Sequence, residues 1–277
     1  MERRPARRDR RSAQRLRADA QGDWADLFKT CAQRTEEMRN EQRGLVGLDE
    51  TEEIVFALAQ AVEQRDVHTG GHCERLSFVS VALGIALGLN RASLLALYRG
   101  GYLHDVGKVG IPDSILFKPA QLTAEEWVTM RSHPVRGEEI CRHMKSLSMV
   151  LPIIRHHHEK WDGSGYPDGL RGDQIPLLAR VLQIADIYDA LTYQRPYKPA
   201  YAPTEALEIM YQETQRGWRD PRIFRLFTRL HDAVISKVEA VGGTERSLAT
   251  MQQSLISLQR SLADESAALT QSGLLVA

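Results

Sequence analysis

Apolar residues recur along most of the chain at spacings of three and four, the period of one helical face, and no stretch alternates convincingly as a half-buried strand would. The pattern sorts into three parts. Residues 1–48 hold a basic tail and a leader helix whose clearest apolar face is Trp24, Leu27, Phe28 and Cys31. Residues 49–235 alternate helical periodicity with short Gly/Pro punctuation, which predicts a helical globular domain. In residues 236–277, Leu248, Met251, Leu255, Leu258, Leu262 and Leu269 form a heptad-like seam after Gly242 and Gly243. A coiled-coil-like C-terminal helix is expected there, with a homodimer formed through it. The fold class is all-α.

Within the central block, Asp49 and Glu52 suggest a capped start for a helix to about residue 64. His72, Leu76, Val79, Leu83 and Ala86 share one face, which puts His72 inside the bundle near the start of the next helix. A helix over 92–105 ends on His104 and Asp105, just before Gly107. Thr123 with Glu126 is a capping box for a short helix that stops at Ser132, His133 and Pro134. Another helix leads to His156, His157 and His158, a Gly-rich loop follows, and a helix over 177–191 carries Asp186.

Composition narrows the function classes. The 36 basic and 36 acidic side chains cancel, which argues against a nucleic-acid partner, and aromatics at 6% favour helix over a β-sandwich. The balance is uneven: residues 1–17 hold eight Arg against Glu2 and Asp9, a density that resists compaction and predicts a solvated tail. Three widely spaced cysteines (Cys31, Cys73, Cys141) without a CxxC pair suit a reducing cytoplasm. No apolar run approaches a bilayer span, so a protein neither secreted nor membrane-spanning is expected.

Six of the nine histidines (His72, His104, His133, His156, His157, His158) stand at predicted helix starts or ends, alongside Asp105 and Asp186. A lone His on an apolar face is usually a hydrogen-bonded core residue. Here several elements each bring one, and a buried His-Asp dipeptide is costly unless something satisfies the carboxylate. A metal would. Imidazole and carboxylate ligands suit Fe, Mn, Zn or Ni, and a carboxylate can bridge two ions about 3.5–4 Å apart, the separation used for phosphate ester hydrolysis. Asp105 is the best bridge, because its neighbour His104 can bind one of the ions.

The runs HTGGH (68–72), LHDVGKVGIPD (103–113), KPAQLTAEEW (118–127), SHPVRG (132–137), HHEKWDGSGYPDGL (157–170), IADIYDAL (184–191) and RPYK (195–198) together resemble an HD-GYP domain. The resemblance covers about two thirds of the chain, with every signature in order. It implies an HD-type helical bundle with a GYP loop, acting as a metal-dependent phosphodiesterase. That enzyme would hydrolyse the bacterial second messenger cyclic di-GMP to pGpG and often GMP.

By the same resemblance His72, His104, Asp105 and Asp186 hold one divalent ion, and His133, His157 and His158 hold another, with Asp105 shared; iron or manganese is expected. His156 falls outside the HHE pattern. Asp105, His104 and Lys108 would carry catalysis, Lys108 touching a phosphate. Gly165, Tyr166 and Pro167 would line the substrate cleft, and Arg195 and Lys198 would meet the other phosphate and the guanine edges. Members with a third metal carry Glu four residues before the first histidine, where this chain has His68, so two ions are favoured over a third near His68. That difference puts the step from pGpG to GMP in doubt. Two alternatives stay open: a phosphodiesterase for another phosphate ester, such as a cyclic GMP-AMP dinucleotide or a guanosine polyphosphate, and a nucleotide-responsive binding module without turnover. About 48 residues before the block are too few for a typical α/β sensory domain, so control is expected through the leader, the C-terminal helix or signalling-protein partners.

Overall fold

The computed structural model describes residues 57, 59, 61–63, 71–193 and 200–241. Regular structure among them is entirely helical. Its elements are α1 (His72–Ala86), α2 (Arg91–Leu103), α3 (Asp113–Leu116), α4 (Ala124–Met130), α5 (His133–Cys141), α6 (Leu151–His156), α7 (Leu177–Thr192), α8 (Pro203–Gln215) and α9 (Pro221–Val241). Short 3-10 turns at Val106–Gly110, Lys145–Leu147 and Gly172–Gln174 link them.

Helix α1 is buried on nearly every side, because its sequence is apolar or small all round and only Glu74 is left partly exposed. It packs against α2, α7 and α9. The core around it holds Leu76, Leu97, Leu103, Ile153, Leu182 and Phe227, all fully buried. Each such side chain contributes about 1.5–3 kcal/mol by leaving water. At one end of the bundle a buried ion pair, Arg180 Nη1 to Asp220 Oδ2 at 2.6 Å, ties α7 to the residue just before α9.

The helix expected over 92–105 ends two residues earlier, at Leu103 with His104 as its cap. The capping box forms as expected: Glu126 N donates to Thr123 Oγ1 (3.3 Å) and Thr123 N to Glu126 Oε2 (2.8 Å). The short helix stops at Met130, close to the expected Ser132, His133 and Pro134. Pro134 itself lies in the first turn of α5, where its missing N–H costs nothing, so a new helix opens at His133. The expected single helix running up to His156 is correspondingly two, α5 and α6, separated by the turn at Lys145–Leu147. Helix α9 passes through position 235 and runs to Val241. The leader, the C-terminal seam, His68, Arg195 and Lys198 lie outside the described residues. Among the described residues, no helix is long and apolar enough to cross a membrane.

Candidate metal centre

Three histidines reach one point by the same local device. The last carbonyls of a helix have no partner inside it. His104 Nδ1 bonds Gly101 O (3.0 Å) at the end of α2, His133 Nδ1 bonds Met130 O (2.8 Å) at the end of α4, and His157 Nδ1 bonds Ile154 O (2.8 Å) at the end of α6. A carbonyl only accepts, so each Nδ1 donates and each ring turns its Nε2 past the helix end. His72, in the first turn of α1, is fixed differently: its Nδ1 lies 2.7 Å from Asp189 Oδ2.

The free nitrogens converge in two groups. Asp105, His133, His157 and His158 form one, and His72, His104 and Asp186 the other, the potential ligand atoms of each lying within 4.8 Å of one another. Asp105 stands between them, with Oδ1 3.1 Å from His133 Nε2 and Oδ2 3.3 Å from His104 Nε2. Asp186 Oδ1 lies 3.6 Å from His72 Nε2. The expected set is thus brought together, while His156 sits apart with Glu159 and Asp168.

The donor chemistry asks for cations. His133 Nε2 and His157 Nε2 are 3.4 Å apart, both beside the Asp105 carboxylate. His104 Nε2 and Asp105 Oδ1 are buried without a hydrogen bond. Burial, reinforced by neighbouring imidazoles, pushes the His157 pKa well down, and burial with the positive field of His133 takes His158 to about 3, so both rings stay neutral and ready to coordinate. Burial alone would raise the Asp105 pKa; Lys108 and His104 outweigh it and hold the carboxyl well below the usual range. Burial likewise works to lower His104, and Asp105 overrides it, leaving that ring raised. These residues fit one or two divalent ions, with ligand types suited to first-row transition metals.

Lys108 lies in the 3-10 turn Val106–Gly110, its Nζ 2.6 Å from Asp105 Oδ2. Gly107 makes that turn possible: a Cβ there would fall on the His133 carbonyl oxygen and 2.5 Å from Gly137 N. Gly165 plays the corresponding part in the loop after His158, since its missing Cβ would meet Lys160 N and lie 2.5 Å from Glu159 Cα. The loop closes on Glu159, fully buried, whose carboxylate accepts from Asp168 N (2.7 Å) and Leu170 N (3.1 Å). Tyr166, followed by Pro167, consequently stacks on His158 with centroids 4.8 Å apart.

Two residues outside the expected set hold it in place. Asp189 orients His72 and accepts two bonds from Arg75 (2.6 and 3.0 Å). Gln183 Nε2 donates to His157 O (3.0 Å) and to Glu159 O. Both stand three residues from Asp186 on α7, so one helical face carries all three. That spacing was the available signal.

A family model described as "HD domain" matches residues 57–223. "Cyclic di-GMP phosphodiesterase response regulator RpfG" of Xanthomonas campestris is 41% identical over 188 residues, covering 66% of this chain and 50% of the relative. "3'3'-cGAMP-specific phosphodiesterase 2" of Vibrio cholerae is 40% identical over 195 residues, 69% of this chain and 37% of the relative. The chain therefore spans half or less of the length of these relatives. Among solved structures, a cyclic GMP-AMP specific phosphodiesterase of V. cholerae superposes with a TM-score of 0.52 at 21% identity, over 74% of this chain and 53% of the other, a likeness of fold. With the matched model spanning more than half its length and the His/Asp centre at the heart of that span, this chain belongs to the HD domain family.

Proposed function

We propose that this protein is a metal-dependent phosphodiesterase that opens cyclic di-GMP to pGpG, GMP or both, in bacterial second-messenger signalling. The observation that carries the reading is Asp105, one carboxylate with an oxygen toward each of two imidazole groups. In this reading His72, His104, Asp105 and Asp186 hold one ion and His133, His157 and His158 the other, with Asp105 shared. Iron or manganese suits that nitrogen-rich set. The chemistry divalent ions supply in such a centre is activation of water near neutral pH and neutralisation of charge on the phosphoryl oxygens.

The chain's own residues do the rest. Helix-end carbonyls and Asp189 keep the imidazoles in one tautomer and one orientation, so the centre needs no rearrangement when substrate arrives. Lys108, within reach of Asp105, offers an ammonium to a phosphate oxygen. Glu159 and Gln183 hold the GYP loop against His158, which sets Gly165, Tyr166 and Pro167 at the edge of the cleft. Arg195 and Lys198 would meet the second phosphate. A cytoplasmic location, a homodimer through the C-terminal helix and signalling-protein partners belong to the same proposal.

Cyclic GMP-AMP is a second candidate substrate, favoured by the 40% identity to a relative named for it. Anaerobic purification, metal analysis and chromatography of products from both dinucleotides, beside Asp105→Ala, test the reading. About two equivalents of metal and linear products only from the wild type are expected. Metal-replete protein that leaves both dinucleotides intact would refute it.

A further inference from the structure

The cavity at the centre, lined among others by His72, His104, Asp105, Lys108, His158 and Asp186, has a volume of about 230 Å³. Pockets that enclose a drug-sized ligand hold about 300–1,000 Å³. A phosphodiester fits; the bases of a dinucleotide must rest on the surface beside it. One such surface leads directly out of the centre. His158 stacks on Tyr166, and the Arg131 guanidinium carbon lies 5.4 Å from the Tyr166 ring centroid and 5.6 Å from that of Trp127. Trp127 is 44% exposed, and Arg131 is exposed as well.

Several arginines of the fold, Arg155, Arg180, Arg219 and Arg222, are ion-paired. Among the described residues the Arg131 guanidinium has neither an ion pair nor a hydrogen bond, so all its donors face solvent between two rings. Its backbone is fixed: Arg131 caps α4, its N–H bonded to Trp127 O at 2.9 Å, two residues before His133. The side chain is therefore anchored two residues from His133, with its guanidinium between the rings.

We propose that Arg131, with Trp127 and Tyr166, forms a subsite for a guanine base of the substrate. Guanine offers two acceptors, O6 and N7, on one edge, which match the paired donors of a guanidinium; adenine puts an amino donor in place of O6. An aromatic ring packs against the face of either purine, so the rings supply affinity and Arg131 the choice between them. The subsite rests on the phosphodiesterase reading above and adds a base preference to it: dinucleotides containing guanine over cyclic di-AMP.

The test uses the full-length, metal-loaded protein with cyclic di-GMP, cyclic di-AMP and bis(p-nitrophenyl) phosphate, a phosphodiester without a base. Arg131→Ala should raise KM for cyclic di-GMP about 10- to 100-fold with little change in kcat. The wild-type preference for cyclic di-GMP over cyclic di-AMP should collapse in that variant. Arg131→Lys, a point charge without the fork, should restore only part of it. Equal losses on all three substrates, or an intact preference, would overturn the subsite alone. Wild-type protein that cleaves none of the three and leaves cyclic GMP-AMP intact as well overturns the phosphodiesterase reading, and the subsite with it.

Discussion

Replacing Asp189 by Asn separates two jobs that one carboxylate performs. Asp189 is 6% exposed; its Oδ2 faces His72 Nδ1 (2.7 Å) and Arg75 Nη2 (3.0 Å), and its Oδ1 accepts from Arg75 Nε (2.6 Å). Burial works to raise its pKa, but the bonds from His72 and Arg75 outweigh this and hold it below the ordinary value. Asparagine keeps the shape, loses the charge and can no longer satisfy both partners. At Arg75, 9% exposed, the guanidinium loses the carboxylate that accepts two of its hydrogen bonds, and a hydrogen bond to a charged group contributes about 1.5–3 kcal/mol. At His72 a charged acceptor becomes at best a neutral amide oxygen, so the tautomer is held less firmly. Removing such partners typically weakens metal binding about 10- to 100-fold, or roughly 1.4–2.7 kcal/mol. Chelator competition measures the second effect and denaturant unfolding of metal-free protein the first. Adding Arg75→Met removes the guanidinium that the carboxylate served, so stability should recover in part while metal affinity stays low. Wild-type metal affinity in Asp189→Asn, or an equal loss in Arg75→Met alone, would refute the orienting role.

Gly107→Ala should be severe for so small a change, because the new methyl falls on the His133 carbonyl and near Gly137 N. Overpacking costs about 1–3 kcal/mol, and a shift of His133 by about 1 Å should lower kcat/KM on the order of 100-fold; near-native turnover would show that the contact relaxes without cost. Stripping the metals with a chelator should lower Tm by roughly 10 °C, since ligand at about 1,000 Kd adds about 4 kcal/mol to the native state; calorimetry with and without chelator decides, and an unchanged Tm contradicts a loaded centre. Burial raises the Tyr98 pKa to about 12. The folded state therefore favours the neutral phenol, so stability is complete below about pH 10 and falls, on the order of 2 kcal/mol, as pH rises toward 12. Tyr98→Phe should flatten that alkaline limb in denaturant titrations, and a limb of unchanged steepness would assign it to other groups.

The parts of the centre legible in the sequence were those whose local signals agree with one another. His72 shares a face with Leu76, Val79 and Leu83, and the structure starts α1 at that residue. Asp186 lies on a strongly apolar helix, a position with no packing reason to be charged. What escaped was tertiary. Asp189 and Gln183 are unremarkable polar residues until α7 is laid against α1 and against the backbone of His157 and Glu159. Lys108 lies on Asp105 at 2.6 Å, a pairing that depends on how the turn at Val106–Gly110 is pressed against α5 by the absence of side chains at Gly107 and Gly137. Pro134 marked a true boundary for a positional reason: the residue that stops one helix is equally at home in the first turn of the next.

The clustering of histidines at helix ends, odd in the sequence, has a physical cause in the structure. A helix C-terminus presents unpaired carbonyls and the negative end of the macrodipole, so it attracts both an N–H donor and, beyond it, a cation. An imidazole at that point serves both needs at once. Its Nδ1–H satisfies the carbonyl three residues back, as at Gly101, Met130 and Ile154, and its Nε2 carries the helix end's preference for positive charge outward to the centre. Three short polypeptide segments thus deliver three pre-oriented imidazoles, each set by its own helix end. Asp105, directly after the first of them, needs only to stand between the groups to join them. The same logic explains why His72 needs Asp189: it stands at a helix start, where no carbonyl is free to fix its ring, and a carboxylate from α7 takes that place.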